Sequence, residues 1–193
     1  EIYNFLELKK DLINKGYSFF SNSDTEVILY LFKEYGIECV KLLNGDFAFS
    51  IFDKLKNELY LVRDRFGIKP LYYSLDNNEF VFSSEIKSLL KASTKKKHKN
   101  YQAIYSFLKS GSVPAPLTMF SGVYMLEPSH YLKFSKNRLI KNKYYEYDYT
   151  PNNLSYNENL EKIDYHLNLA VKKRLISDLP VGAFLSGGID SSI

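Results

Sequence analysis

Phe47-Ala48-Phe49-Ser50-Ile51-Phe52, then the polar Asp53-Lys54-Leu55-Lys56-Asn57, then Glu58-Leu59-Tyr60-Leu61-Val62 is the stretch from which the architecture is best read. Two short apolar runs around a polar turn are the pattern of an antiparallel hairpin. The runs are apolar at both parities, as in Phe47-Ala48-Phe49, so both faces of the sheet are expected to be covered. A second pair, Pro70–Leu75 and Glu79–Ser83 around Asp76-Asn77-Asn78, repeats the pattern. Val123–Lys143 supplies further strands, with Pro128-Ser129-His130 as a turn. Upstream, Leu6–Lys15 has helical spacing, with Leu8, Leu12 and Ile13 on one side and Gly16 as a stop. Tyr17–Phe20 reads as a short strand. Ser23-Asp24-Thr25-Glu26 matches a capping box, opening a helix with Val27, Ile28, Leu31, Phe32 and Tyr35 on one face and an end near Gly36. Short helices are expected over Ser84–Leu90 and Tyr101–Lys109, with a Pro-rich loop at Val113–Pro116.

Composition narrows the classes. A chain of 193 residues with 45% apolar residues can hold a domain with a real core. The charge balance, 26 − 22 = +4, is mild and does not itself point to nucleic acid. The single cysteine excludes an internal disulfide framework and fits a reducing compartment. No apolar run approaches membrane-spanning length, and the start carries no signal-peptide pattern. Cys39 sits among apolar neighbours and reads as a small core residue, not a nucleophile. Lys95-Lys96-Lys97-His98-Lys99 reads as a solvated loop, because no aromatics interleave it. His130 is a lone loop histidine, and no His/Cys cluster has metal-ligand spacing. Arg63-Asp64 and Ser84-Glu85 resemble catalytic pairs, but read as a charge pair fixing the hairpin and a polar helix start.

Tyr144–Asn153 is polar, ends in Pro151-Asn152-Asn153 and reads as a linker, dividing the chain into 1–150 and 151–193. Ser155-Tyr156-Asn157-Glu158 is a second capping box. Its helix, with Leu160, Ile163, Leu167, Ala170, Val171 and Leu175, is expected to run to Ile176 and lead through Asp178-Leu179-Pro180 into a buried strand, Val181–Leu185. Ser186-Gly187-Gly188 then turns the chain, and Asp190-Ser191-Ser192 opens a helix. Strand, glycine turn and helix N-terminus aim free N–H groups at one spot and form an anion site. Gly187 and Gly188 let the backbone approach phosphate oxygens. No G-x-x-x-x-G-K-[ST] occurs, so this is not a Walker A loop. A carboxylate beside phosphates needs a cation between them, so Asp190 is expected to act through Mg²⁺.

The string Ser186-Gly187-Gly188-Ile189-Asp190-Ser191-Ser192 resembles the pyrophosphate loop of ATP pyrophosphatases. Upstream, Glu1-Ile2-Tyr3-Asn4, Ser23–Leu29, Leu43-Asn44-Gly45-Asp46-Phe47-Ala48-Phe49, Arg63–Tyr73 and Ser83–Leu90 occur in order. This series resembles the glutaminase domain of glutamine-hydrolysing asparagine synthetases, over nearly the whole chain. The resemblance implies an α+β, four-layer αββα N-terminal-nucleophile fold lacking its first strands, followed by the first helix and strand of an α/β ATP-pyrophosphatase domain. It implies a cysteine nucleophile whose own α-amine is the base, and an oxyanion held by an Asn side chain and a Gly N–H. Ammonia then passes to a second site where ATP has adenylated aspartate, sheltered from water. Among glutamine-binding positions Glu1 and Asp24 match; among ATP positions, Leu185, Ser186, Gly187, Gly188, Asp190, Ser191 and Ser192 match. The nucleophile, the Asn-Gly pair and the Arg for the glutamine carboxylate find no match, and Cys39 cannot substitute for an N-terminal cysteine. The stretch alone is therefore expected to be inactive. Glutamine, aspartate and ATP are the implied substrates, with ATP and Mg²⁺ as cofactors. A cytoplasmic location, no nucleic-acid or membrane partner and compatibility with a homodimer complete the expectation. Two alternatives stay open: a related amidotransferase acting on another carboxylate, a sugar or peptide precursor, and a non-catalytic paralogue.

Overall fold

Glu58–Arg63 is an inner strand of a four-stranded sheet, and its side chains divide by parity. Leu61 is fully buried in one apolar cluster, with Leu59 packed against it, while Val62 belongs to another and the Tyr60 ring meets Phe32 at 5.4 Å. A strand apolar at both parities thus has a partner layer on each face.

The computed structural model describes residues 1–76, 79–94, 96–176 and 180–192, the last without the side chains of Asp190 and Ser191. Asn77-Asn78 of the expected turn, Lys95 of the charge run, Asp178-Leu179 of the lead-in and Ile193 lie outside the described residues. The described elements are α1 (Phe5–Asn14), α2 (Asp24–Tyr35), a 3₁₀ helix (Gly36–Leu42), β1 (Ala48–Asp53), β2 (Glu58–Arg63), β3 (Tyr72–Asp76), β4 (Glu79–Ser83), α3 (Ile86–Ala92), α4 (Tyr101–Ser110), β5 (Tyr124–Met125), β6 (His130–Ser135), β7 (Arg138–Lys143), α5 (Tyr156–Arg174) and α6 (Ile189–Ser192). They fall into two units, Glu1–Asp148 and Tyr149–Ile193.

In the first unit the sheets run β1-β2-β6-β7 and β4-β3-β5, with every pairing antiparallel. One core joins α1, α2 and the 3₁₀ helix to the first sheet through Leu12, Val27, Leu31, Val40, Ile51 and Val62. A second core lies between the sheets: Leu61 and Leu132 from one, Tyr73 from the other, with Leu71 and Leu126. There Phe80 stacks on Phe134 at 4.6 Å. Helix α3 packs on β3 and β4. The order is helices, sheet, sheet, helix, which is the α+β layering expected.

Some local expectations are corrected. Tyr17–Phe20 forms no strand; the Tyr17 and Phe19 rings pack on Tyr30 at 5.1 and 4.9 Å, so the alternation serves aromatic contact with α2 instead of a ladder. Ser23 caps α2 by accepting from the Thr25 N–H, but the box does not close. Glu26 instead accepts from the Phe20 and Ser21 N–H groups and the Ser21 hydroxyl, holding the incoming loop. Lys97 of the charge run is not solvated: its side chain is 5% exposed and its ammonium donates to Asp76 and Ser74. The expected linker begins later than its polarity suggests. Tyr144 is buried and donates to the Arg63 carbonyl at 2.8 Å, Arg65 lies 4.3 Å over the Tyr145 ring, and Tyr147 packs on Phe66 at 5.5 Å.

In the second unit, Ser155 and Glu158 form the full reciprocal capping box of α5, and Lys172, Lys173 and Arg174 complement the dipole at its other end. The helix stops at Arg174, short of Ile176. The large side chains of its apolar stripe are open, from 47% exposed at Leu160 to 58% at Val171. Residues 181–186 form no strand, which corrects the strand expected at Val181–Leu185. A strand of a parallel sheet needs neighbouring strands for its N–H and C=O groups, and none of the described strands lies in this unit.

Candidate functional site

Two turns, built by hydrogen bonds to the main chain, shape the site in the first unit. After β2 the chain bends through residues 64–71. Asp64 is fully buried, and its carboxylate accepts from the N–H groups of Phe66, Ile68 and Lys69 at 2.9–3.0 Å. Arg63 donates to the carbonyls of Gly67, Lys69 and Leu126. Burial pushes its guanidinium pKa down from the usual value. Gly67 has φ +68°, and a Cβ there would lie 2.8 Å from the Pro128 ring. The structural reading of Arg63-Asp64 is therefore right in kind, but each residue holds backbone: the two form no ion pair with one another in the described structure. This bend brings Lys69 and Pro70 to the edge of a cleft.

The second turn, residues 42–46, enters β1 and holds residues 1–4 beside it, with Ile2 bridged to Gly45. Between that segment, the first turn of α2 and the start of β1 lies a cavity of about 390 Å³. Its polar lining is Glu1, Asp24, Thr25, Asp46, Lys69 and Ser84; Ile2, Ile28, Phe47, Phe49 and Pro70 supply apolar wall. Glu1 and Asp24, 23 positions apart in the sequence, thus share one cleft. Asp24 Oδ2 also accepts from the Ile2 N–H at 3.0 Å, so this acid joins the helix start to the segment carrying Glu1. Three carboxylates and one ammonium on the rim favour a ligand bearing a positive group. A few convergent polar groups over apolar wall are the anatomy of a small-molecule site.

Thr25, Asp46, Lys69 and Ser84 were not singled out from the sequence as site residues. Asp46 and Lys69 lie inside the quoted strings, but only long-range folding brings them beside Asp24. With Glu85, Ser84 reads from sequence as a polar helix start. In the fold Ser84 lines the cleft, while Glu85 is the N-cap of α3 without a side-chain cap bond. Cys39 is fully buried, and burial, with a smaller contribution from Glu38, pushes its thiol up to about 12. It is no thiolate nucleophile at neutral pH. His130 Nδ1 lies 2.7 Å from the Pro128 carbonyl and serves that turn.

In the second unit Leu185 is exposed, Gly187 takes φ +76°, the Gly188 N–H meets the Ser186 hydroxyl at 3.4 Å, and Ser192 Oγ donates to the Gly188 carbonyl at 2.8 Å. Gly187 thus occupies the left-handed conformation that a turn of this kind requires. Ile189–Ser192 forms a single helical turn behind it. The side chains of Asp190 and Ser191, expected at the phosphates, lie outside the description. Among the described residues no group of three or more His, Cys, Asp or Glu side chains could hold a metal ion, and no helix is long and apolar enough to cross a membrane.

Known proteins match both parts of the chain. The glutamine amidotransferase domain profile matches residues 1–145, and the asparagine synthase profile matches residues 162–193. The whole chain is 43% identical to 38% of a Methanocaldococcus jannaschii protein assigned as a glutamine-hydrolysing asparagine synthetase. It is 36% identical to 31% of asparagine synthetase [glutamine-hydrolyzing] 3 of Bacillus subtilis. It therefore spans about a third of the length of these relatives. Among solved structures, glutamine phosphoribosylpyrophosphate amidotransferase from B. subtilis superposes on 75% of the chain and 27% of its own, with TM-score 0.50 and 21% identity, a likeness of fold. With its fold shared and 145 of its 193 residues matched by one profile, the chain belongs to the glutamine amidotransferase domain family.

Proposed function

We propose that this chain is the glutaminase part, with the pyrophosphate loop behind it, of a glutamine-hydrolysing asparagine synthetase. Glutamine binds in the cleft, its α-ammonium facing Asp24, with Glu1 on the wall of the same cleft. The ammonia released amidates the side-chain carboxylate of aspartate after ATP has adenylated it. The observation that supports this reading most is the convergence of Glu1 and Asp24 on one cavity of about 390 Å³. Leu185, Ser186, Gly187, Gly188, Asp190, Ser191 and Ser192 form the loop for the pyrophosphate of ATP. Mg²⁺ enters with the nucleotide, and Asp190 reaches it directly or through its waters. The enzyme works in the cytoplasm, in keeping with a lone cysteine.

The test uses the protein expressed from its complete reading frame, supplied with ATP, Mg²⁺, aspartate and either glutamine or ammonium. Wild type makes asparagine from both. Gly187→Val places a branched side chain at a left-handed φ and in the path of the phosphates, so both syntheses fall to background while glutamine hydrolysis continues. Retention of ATP/pyrophosphate exchange by this variant would overturn the loop assignment. Failure of aspartate as acceptor, with ATP cleavage stimulated by another carboxylate, would replace asparagine synthesis with a different amidation.

A further inference from the structure

Residues 1–4 are gripped from two sides. On one side Asp24 accepts from the Ile2 N–H. On the other, the 42–46 turn makes a run of bonds to them. The Tyr3 N–H donates to the Asn44 carbonyl at 2.7 Å, the Asp46 N–H to the Glu1 carbonyl at 3.0 Å, and the Glu1 nitrogen to the Asp46 carbonyl at 2.8 Å. Asn4 and Asn44 add a side-chain bond, the Asn44 N–H to Asn4 Oδ1 at 2.9 Å. The approach is so close that a Cβ on Gly45 would lie 2.1 Å from the Glu1 carbonyl oxygen. One side-chain pair closes the grip: the Tyr3 hydroxyl donates to Asp46 Oδ2 at 2.8 Å in a partly buried setting.

We infer that Tyr3 and Asp46 are positioning residues for glutamine, acting through the main chain of Glu1 and Ile2. The inference rests on the reading of the cleft as the glutamine site. Glu1 and Ile2 supply the two elements of the wall that matter, a carboxylate and the N–H that Asp24 grips. Both main-chain bonds of Glu1 go to Asp46, so any turn of the Asp46 peptide carries Glu1 with it. The phenol ties Asp46 to the residue after Ile2 and stops that turn. It also gives one oxygen of the Asp46 carboxylate, Oδ2, a neutral donor within the protein, beside the Glu1 and Asp24 carboxylates of the same cleft. Misplacement of a positioning element weakens binding without touching the chemistry.

The experiment is a set of glutamine and ammonium titrations on the protein from its complete reading frame. Tyr3→Phe keeps the ring and loses the donor; it raises KM for glutamine on the order of tenfold, as for one lost bond to a charged group. Synthesis from ammonium and kcat for glutamine hydrolysis stay within about twofold of wild type, because neither depends on how Glu1 is aimed once glutamine is bound. Asp46→Ala, which also removes a cleft carboxylate, raises KM at least as far as Tyr3→Phe, and the double variant is no worse than Asp46→Ala alone, since both break one coupling. Asp46→Asn retains an acceptor for the phenol and restores KM to within about threefold of wild type. A wild-type KM in Tyr3→Phe, alongside a raised KM in Asp24→Asn, overturns the positioning role and leaves the cleft assignment standing. Asn as damaging as Ala at position 46 overturns it too, because the charge would then act on the ligand itself. An unchanged KM in Asp24→Asn removes the cleft assignment and the inference with it. Should Asp46→Ala not fold, Tyr3→Phe, which conserves the packing, decides alone.

Discussion

Asp24 carries three roles, and one substitution separates them. It opens α2, it accepts from the Ile2 N–H at 3.0 Å, and it lines the cleft with Glu1. Asparagine keeps an oxygen for the Ile2 N–H and stays compatible with a helix start, so only the charge is lost. Asp24→Asn is expected to raise the glutamine KM about tenfold to a hundredfold, the range for a charge-assisted bond to substrate. Stability falls by only about 0.3–1 kcal/mol through the helix dipole. Steady-state titration with glutamine and with ammonium, beside a melting curve, checks both figures; equal losses with the two nitrogen sources would reduce Asp24 to a helix-start residue. Asp64 has the opposite profile. It is fully buried and serves three N–H groups of its own bend. Asp64→Ala is expected to cost about 2–4 kcal/mol in urea unfolding, because the orphaned donors lose their acceptor. Residue chemistry of this kind was partly legible beforehand. An acid after Ser23 is a readable helix start, whereas acceptance from Ile2 depends on a contact 22 positions away that no local pattern encodes.

Among the elements, the two capping boxes show where local pattern suffices. Ser155-Tyr156-Asn157-Glu158 closes reciprocally in the structure, with Glu158 Oε2 accepting from the Ser155 N–H at 2.8 Å and Ser155 Oγ accepting from the Glu158 N–H at 3.3 Å. Ser23-Asp24-Thr25-Glu26 has the same letters, yet Glu26 turns to the Phe20 and Ser21 N–H groups. The difference lies in a loop that needs acceptors, which is tertiary information. Ser155→Ala should therefore lower the helicity of a peptide spanning residues 152–176 by an amount equal to about 0.5–2 kcal/mol of cap energy. Circular dichroism of the pair of peptides measures it, and equal helicity would mean that the box contributes nothing. Hairpins were readable from their own turns, and β1–β2 and β3–β4 pair as expected. The pairings β2–β6 and β3–β5 were not, since their partners lie tens of residues apart and loop closure leaves no local trace. Nor was the missing strand at 181–185, because an apolar run states that a segment wants burial, not whether neighbours exist to pair with it.

On the scale of the whole molecule, buried acids with raised pKa values set the alkaline limit. Burial raises the Cys39 thiol from near 9.0 to about 12, and the Tyr73 phenol likewise to about 12. Both hold their protons more tightly in the folded state, so the stability they support is complete below their ordinary values and is lost as pH climbs through the folded ones. Urea midpoints are expected to hold to about pH 9 and decline from there to about pH 12. Cys39→Ala lowers the whole curve but flattens its alkaline slope; an unchanged slope would mean the thiol is not the titrating group. The tyrosines after β7 carry a consequence of another kind. Tyr144 is 6% exposed and anchored, Tyr145 and Tyr147 are packed, and Tyr149 is 85% exposed just past the boundary of the first unit. A protease that cleaves after aromatic residues therefore meets four tyrosines within six positions and can reach only the last without first unfolding something. Within this run, brief digestion should cut after Tyr149 first, read by mass, while the bonds after Tyr144, Tyr145 and Tyr147 survive until the fold itself opens.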